Sequence, residues 1–435
     1  MLSNEYNVKN FGAKGDSENL DHTAIQKAID KCSADGGGTV YFPAGTYLCG
    51  TVKMKSNVCL YLETGSKILA AKDTSFFPEI AKTPFNNLPG QIQALIWFEN
   101  VRNVTIEGQG AIEGNGVGPI NEYQKHGNSF RPVLIFCRDC ENIKFLDINL
   151  QYSDFWTLHL MRCNDVKVRG ITINNDILRI NADGIDPDGC RNVVISDCNI
   201  KTGDDCIVLK STEGDICENI VITNCILSTP CAAFKIGTEG KSDIRNVAMN
   251  NCIISNTNVA VALYMKDGSI YENIMLSNLI IDSYGDIPVI IDITSRYFTR
   301  PSIGKIKNIN FNNITVNGKG CCYIEGDESS KVENVAFSNI TWNVGGKMAF
   351  EKVIKPSGSK NVELDPNKLD YINNPYQFIV VNTDEIYFNN IKVYSKSKTE
   401  GLDRGIIYLN KVEGAVIKDV INGSIALDIE PVRRI

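Results

Sequence analysis

The sequence lacks several features that would point to common classes of protein. No uninterrupted apolar run reaches 18 residues, so nothing in it predicts a membrane-spanning helix. Acidic residues outnumber basic ones, 51 to 44, and the net charge of −7 argues against a nucleic-acid partner and against a basic membrane-binding surface. The N-terminal stretch MLSNEYNVKNFGAKGD also lacks the apolar segment of a signal peptide.

The 15 cysteines do not follow the spacing of a zinc site. Cys137 and Cys140 form a CxxC pair, but no second pair or histidine set accompanies them. The sequence therefore predicts buried reduced thiols, which favours a reducing compartment. With no signal segment, we expect a cytoplasmic protein. The alternative is a secreted or periplasmic protein whose signal has been removed.

A repeat organises the chain: a polar residue, then Val or Ile, then alternating apolar residues. Taking the residue before the first Val or Ile as position zero, five copies follow one another in steps of 27 residues, at Asp165, Asn192, Asn219, Asn246 and Asn273. Looser copies begin at Asn57, Asn103, Asn142, Asn308 and Asn334. Apolar residues two apart indicate strands with one buried face.

Equal offsets in successive copies indicate that like residues stack. One such column contains Cys198, Cys225 and Cys252, and parallel stacking suits the packing of these thiols better than a disulfide. No helical pattern separates the copies. The sequence therefore predicts an all-β fold, a right-handed parallel β-helix of roughly ten or more coils.

We expect a single β-helix domain over residues 1–435. Near the N-terminus, Asp21 is the expected N-cap of a helix ending at about Ala34, which would cover the open end of the first coil. Its apolar face is predicted to contain Ala24, Ile25, Ala28, Ile29 and Cys32. Two stretches interrupt the repeat, residues 116–131 and 354–378, and are predicted to be loop insertions.

Acidic residues break the apolar pattern in two successive copies. Asp183 in NADGIDPDGC and the pair Asp204 and Asp205 in TGDDCIVLKS each come just before an apolar strand. Stacked coils lie about 4.8 Å apart, so we expect the three carboxylates to cluster. The 22-residue spacing (205 − 183) implies a shorter turn in that coil. Such a cluster suits glycoside hydrolysis or calcium binding, while the structural alternative is aspartates that cap turns.

Neighbouring copies place further polar side chains at related offsets. Lys210 and Tyr264 share offset 18, and Lys235 stands at offset 16. We expect these three residues to lie outward on the sheet that carries the acids. There the lysines would bind an anionic sugar and the tyrosine would stack on a ring, or all three would simply form a solvated face.

At these residues the sequence resembles glycoside hydrolase family 28, the polygalacturonase family of right-handed β-helices. The opening VKNFGAKGD…GGGTVYFPAGTY looks like a common start of pectin-lyase-like β-helices, and RPVLIF and FWTLHL look like this family. The family's NTD motif matches Asn181-Ala182-Asp183, and its paired aspartates match Asp204 and Asp205. The likeness covers roughly residues 6–345.

The resemblance implies an inverting hydrolase that cleaves a bond next to a galacturonic acid and needs no metal or other cofactor. Asp204 would be the general acid, and Asp183 and Asp205 would hold and activate water. Asn181 would contribute to substrate binding. The expected partner is a pectic polysaccharide or oligosaccharide, of rhamnogalacturonan type among others.

Two motifs depart from the family pattern. The family's GHG aligns with CAA, so its histidine position is Ala232. Its RIK aligns with Tyr264-Met265-Lys266 or with Ala262-Leu263-Tyr264, and in both cases the arginine is absent. In the family this Arg and Lys bind the substrate carboxylate. We therefore expect a branched or modified pectic substrate, or oligosaccharides from its ends, with Lys210 and Lys235 supplying positive charge and Lys266 in the place of the family lysine.

Two other classes of function stay open. A calcium-dependent pectate lyase would need a basic residue beside an acidic calcium site, and Lys210 and Lys235 meet that need. A non-catalytic glycan-binding protein, similar to tailspike β-helices, is favoured by the missing histidine and arginine. Metal dependence and the loss or survival of turnover in an Asp204 variant distinguish these classes.

Overall fold

A computed structural model of the chain describes residues 4–80, 92–120, 131–295, 304–345, 375–395, 405–423 and 431–435. These residues form two compact units, Met1–Asp204 and Asp205–Ile435, and each is described in turn. Both consist almost entirely of parallel strands. The predicted fold class, a right-handed parallel β-helix, is confirmed. The expectation of a single domain stays a prediction.

The first unit contains nineteen strands in its described residues. They are β1 (Glu5–Asn7), β2 (Asp16–Leu20), β3 (Gly38–Phe42), β4 (Gly45–Cys49), β5 (Val52–Lys53), β6 (Val58–Leu62), β7 (Ser66–Ala70), β8 (Ala94–Glu99), β9 (Arg102–Gly108), β10 (Ala111–Glu113), β11 (Val133–Arg138), β12 (Glu141–Leu146), β13 (Asn149–Gln151), β14 (Leu158–Met161), β15 (Asn164–Arg169), β16 (Thr172–Asn174), β17 (Ile185–Asp188), β18 (Arg191–Ser196) and β19 (Asn199–Lys201). From β6 onward each strand pairs in parallel with the third strand along the chain, for example β11 with β14 and β12 with β15. This pairing makes coils with three faces.

The second unit contains fifteen strands in its described residues. They are β20 (Ile207–Ser211), β21 (Cys217–Thr223), β22 (Ile226–Ser228), β23 (Ala232–Gly240), β24 (Ile244–Thr257), β25 (Val259–Met265), β26 (Ile270–Ser283), β27 (Val289–Ile293), β28 (Lys305–Asn317), β29 (Cys322–Glu325), β30 (Val332–Val344), β31 (Tyr376–Ser395), β32 (Gly405–Glu413), β33 (Val416–Asn422) and β34 (Val432–Arg434). One stack runs through β20, β23, β25, β27 and β29. A second runs through β21, β24, β26, β28 and β30.

The strand register follows the sequence repeat. Val166 pairs with Val193 in the first unit, and Ile220 pairs with Val247 in the second. Val247 in turn pairs with Ile274, so the 27-residue step corresponds to one coil. The inward side chains at these offsets are buried, and together they form a continuous apolar core inside each unit.

Position zero of the repeat has a physical reason that the pattern alone did not reveal. At all ten copies this residue adopts the left-handed backbone conformation, with φ between 51° and 64°. Asparagine and aspartate tolerate this conformation better than other residues with a side chain. Their side-chain amides also bond from coil to coil: the amide of Asn246 donates to Asn219 and the amide of Asn273 donates to Asn246, each at 3.1 Å.

All 15 cysteines are free thiols and thirteen of them are buried, as predicted. Burial raises the pKa of the Cys49, Cys137 and Cys322 thiols well above the usual value, which makes them unreactive. Cys252 accepts a hydrogen bond on its sulfur from the backbone N–H of Cys225 at 3.4 Å. The cysteine column is therefore a packing element.

The predicted capping helix is confirmed as α1 (His22–Ala34). Ile25, Ala28, Ile29 and Cys32 are buried and Ala24 partly so, and the helix packs on β1, β3 and the 3-10 turn Val8–Phe11. The expected side-chain cap is wrong. The Asp21 carboxylate instead accepts the backbone N–H groups of Lys14 at 2.6 Å and Gly15 at 2.9 Å, so it fastens the preceding turn.

The two predicted loop insertions fall largely outside the described residues. Positions 116–120 of the first lie outside any strand, as expected, and 121–130 are not described. Of the second, residues 354–374 are not described, and its predicted end is wrong because Tyr376, Gln377 and Phe378 already belong to β31. No helix within the described ranges is long and apolar enough to cross a membrane.

The left-handed position at Asn246 provides a test of the repeat. We expect Asn246→Ala to unfold at lower denaturant concentration than Asn246→Gly, because both lose the amide bonds but only alanine is strained at φ 56°. The expected difference in the free energy of unfolding is about 1 kcal/mol. Equal midpoints for the two variants in equilibrium urea unfolding would contradict this role for the turn.

Candidate active site

The turn that carries the paired acids is shaped by its first two residues. The hydroxyl of Thr202 donates to the backbone oxygen of Asp204 at 2.6 Å, which closes the turn. A Cβ at Gly203 would overlap the backbone oxygens of Arg179 and Asp176. Only glycine fits there, so the Thr-Gly pair fixes the backbone that presents Asp204.

Asn181 and Asp204 lie together in the first unit, as the motif pattern predicts. Asn181 has a left-handed backbone with φ 55°, and its N–H donates to Oδ2 of Asp204 at 2.9 Å. Its side-chain oxygen accepts from Arg131 at 3.1 Å. Asp204 is partly exposed. A carboxyl held through one oxygen and open to solvent suits exchange of a proton with a ligand.

Asp183, the other acid of the NAD motif, lies in the same unit just before β17. It is 3% exposed, and its backbone oxygen accepts the N–H of Thr157 at 2.9 Å. The main chain around this carboxylate is therefore fixed by the neighbouring coil. Its position before an inward-facing strand is the one predicted from the sequence.

A buried arginine pair supports this part of the site and was missed in the sequence. The side chains of Arg131 and Arg179 are each 6% exposed and both contact Asp154. Arg131 donates to the backbone oxygen of Asp154 at 3.0 Å, and Arg179 donates to its carboxylate at 2.9 Å. Burial lowers the pKa of the Arg131 guanidinium, and the charge of Asp154 opposes that shift. Arg131 stood in a quoted motif, but nothing in the repeat marked its partners.

In the second unit, Asp205 is buried with 1% exposure, and both of its carboxylate oxygens have donors. Oδ1 accepts the backbone N–H of Ala232 at 3.1 Å, and Oδ2 lies 3.0 Å from Nζ of Lys235. The Ala232 side chain is itself buried, in the position that the resemblance assigns to a histidine. A main-chain N–H and a lysine thus surround a carboxylate that has no imidazole from that position.

Two other predicted lysines also have acidic partners. Nζ of Lys210 lies 3.0 Å from Glu239, and Nζ of Lys266 lies 2.6 Å from Asp292. Lys266 and Asp292 are almost fully buried, at 2% and 0% side-chain exposure. Because a buried ion pair is costly to separate, Lys266 has a structural role whatever else it binds.

Tyr264 lies between two of the predicted cations. Its ring centroid is 5.9 Å from Nζ of Lys235 and 5.5 Å from Nζ of Lys266. The residue is 5% exposed. Distances of this size allow a cation–π attraction, so the ring links the two ammonium groups.

The acidic partners Glu239 and Asp292 were missed because the coils change length beside them. The pairing of β20 with β23 shifts register between Leu209 and Ser211, next to Lys210. Asp292 pairs with Tyr264 although it stands one offset further along its repeat copy. By contrast, Val208, Lys235 and Ala262 are in register, as the shared offset 16 predicts.

A parallel β-helix with carboxylates and cations set before and on its strands defines a carbohydrate-active β-helix protein. The model of the family "Glycosyl hydrolases family 28" matches residues 32–361. The chain belongs to this family. The family resemblance read from the motifs is therefore confirmed.

Individual relatives agree with this assignment. A probable polygalacturonase of Vitis vinifera is 33% identical over 213 residues, which cover 46% of this chain and 43% of that protein. The chain thus spans less than half the length of the curated relatives it matches first. Among solved structures, the family 28 exopolygalacturonase of Yersinia enterocolitica has a TM-score of 0.73 at 19% identity, covering 96% of this chain and 78% of that one. The exopolygalacturonase of Thermotoga maritima has a TM-score of 0.66 at 22% identity, covering 79% and 88%. These two likenesses concern the fold.

The buried ion pair of Lys266 provides a second test. We expect Lys266→Met to lower the free energy of unfolding by about 3–5 kcal/mol, because it leaves the Asp292 charge buried without its ammonium partner. The matched control is Lys31→Met, which removes a surface lysine of 57% exposure from Asp35 and should cost less than about 1 kcal/mol. Similar losses for both variants in equilibrium unfolding would show that the pair at Lys266 is not stabilising.

Proposed function

We propose that the chain is an inverting glycoside hydrolase that cleaves bonds in a galacturonic-acid-containing pectic polysaccharide or oligosaccharide. The observation that carries the proposal is the contrast between two consecutive carboxyl groups. Asp204 is partly exposed and held through one oxygen, whereas Asp205 is buried against an ammonium group. Neighbouring acids in different environments suit different roles in proton transfer.

In this mechanism Asp204 is the general acid. The N–H of Asn181 donates to Oδ2, so that oxygen acts as the carbonyl oxygen of the protonated group. The proton then resides on Oδ1, from which it passes to the glycosidic oxygen as the bond to the anomeric carbon breaks. Arg131, which fixes the Asn181 side chain, is a positioning residue for this step.

Asp205 and Asp183 act on the attacking water. Lys235 stabilises the negative charge on Asp205, which is the form that accepts a proton. Water adds to the anomeric carbon on the face opposite the leaving oxygen and gives its proton to these carboxylates. This division of roles between an acid and a base on opposite faces is that of an inverting glycosidase.

The substrate class is proposed from the family and from the relatives. The similar proteins of Vitis vinifera, Yersinia enterocolitica and Thermotoga maritima carry polygalacturonase or exopolygalacturonase in their names. Lys210, Lys235 and Lys266 each contact a protein carboxylate. Because this reduces the positive charge available for a uronate, we propose a branched or modified pectic chain, or an oligosaccharide, over plain polygalacturonan.

Asp204→Asn provides the test of catalysis. We expect it to lower the release of reducing ends from a panel of pectic polysaccharides and oligosaccharides by about 10²-fold or more, because the amide cannot donate the proton. Asp165→Asn is the matched control, since other coils carry asparagine at that repeat position. It should leave turnover unchanged.

Each alternative gives a different outcome in the same assay. Turnover that survives in Asp204→Asn would contradict the proposed acid. Products that absorb in the ultraviolet as unsaturated sugars, together with loss of activity in a chelator, would indicate the calcium-dependent lyase. Binding to the panel without turnover by the parent protein would indicate a glycan-binding protein.

A further inference from the structure

We infer that Lys235 is a positioning residue that holds Asp205 in its ionised, water-activating orientation, rather than a ligand for the substrate carboxylate. This inference rests on the proposed function, because it gives Asp205 a partner for the role assigned above. It departs from the sequence prediction, in which Lys235 supplied charge to the sugar.

The first support is that two donors on one strand grip the two oxygens of Asp205. The N–H of Ala232 opens β23 and donates to Oδ1, while Lys235, three residues further along β23, contacts Oδ2. Asp205 stands just before β20, which pairs with β23 through Val208 and Lys235. The carboxylate plane is therefore set by the register of two adjacent coils.

The second support is burial. The side chain of Asp205 is 1% exposed and that of Lys235 is 13% exposed. A lysine that left this carboxylate to bind a sugar would leave a buried negative charge with less compensation, which is strongly unfavourable. The ammonium therefore remains with Asp205 when substrate arrives.

The third support is the surroundings of the ammonium group. The Tyr264 ring lies 5.9 Å from Lys235, and the same ring lies 5.5 Å from Lys266, whose charge is already balanced by Asp292. Tyr264 limits where the lysine stem can go. Alanine at 232 leaves this space to the lysine, since a larger side chain there would stand on the same strand beside Asp205.

The consequence for kinetics separates the two roles of Lys235. A positioning residue for the base affects the transition state, so Lys235→Met should lower kcat by about 10²-fold and change KM by less than about threefold. A substrate ligand would instead raise KM with kcat largely unchanged. Lys235→Arg, which keeps a cation, should recover part of the lost kcat. Lys305→Met, at the partly exposed Lys305–Glu333 pair of the second unit, is the control expected to keep full activity.

A double-mutant cycle covers the possibility that Lys235→Met folds poorly. If Lys235 acts through Asp205, adding Lys235→Met to Asp205→Asn should reduce kcat no further, and the double variant has no unpaired buried charge from this pair. Multiplicative losses, or a rise in KM with kcat unchanged, would overturn the inference while leaving the hydrolase intact. Absence of turnover by the parent protein on every pectic substrate would overturn the proposed function instead.

Discussion

The left-handed turn at position zero of each coil is the constraint on which the structure depends. It bends the chain at the same place in every coil, and the asparagine amides there bond to their counterparts one coil away. Because the turns are locked in register, the alternating residues that follow them stack with like residues. A regular core results, and any polar residue within a strand has a defined neighbour in the next coil.

That regularity explains why charges can be kept inside so ordered a fold. The pairs Asp205–Lys235 and Lys266–Asp292 are buried or nearly so, and each is formed between successive coils. Single buried charges would destabilise the helix, but charges that arrive as opposite partners at fixed offsets satisfy each other. The ion pairs orient the carboxylates, and Tyr264 connects the two lysines. The proposed chemistry depends on this orientation, because a base must hold its water in line with the bond that breaks.

Much of the fold follows from the sequence because the repeat is a local and periodic signal. The 27-residue step, the buried cysteines and the helix His22–Ala34 all appear in the structure as predicted. The partners of individual side chains were less accessible. Asp21 was expected to cap its helix, yet its carboxylate faces the preceding turn. Glu239 and Asp292 escaped notice because a register shift and a change in coil length displace them from their columns, and such irregularities leave no mark in a periodic pattern.

The central claim is that consecutive acids with unlike surroundings catalyse inversion. The most direct measurement is the anomeric configuration of the first product, followed by proton NMR before mutarotation equilibrates it. The account predicts that the newly formed hemiacetal has the configuration opposite to that of the cleaved bond, since water adds directly to the anomeric carbon. A product that retains the configuration would require a covalent intermediate on one of the carboxylates, and would contradict the roles given to Asp204 and Asp205.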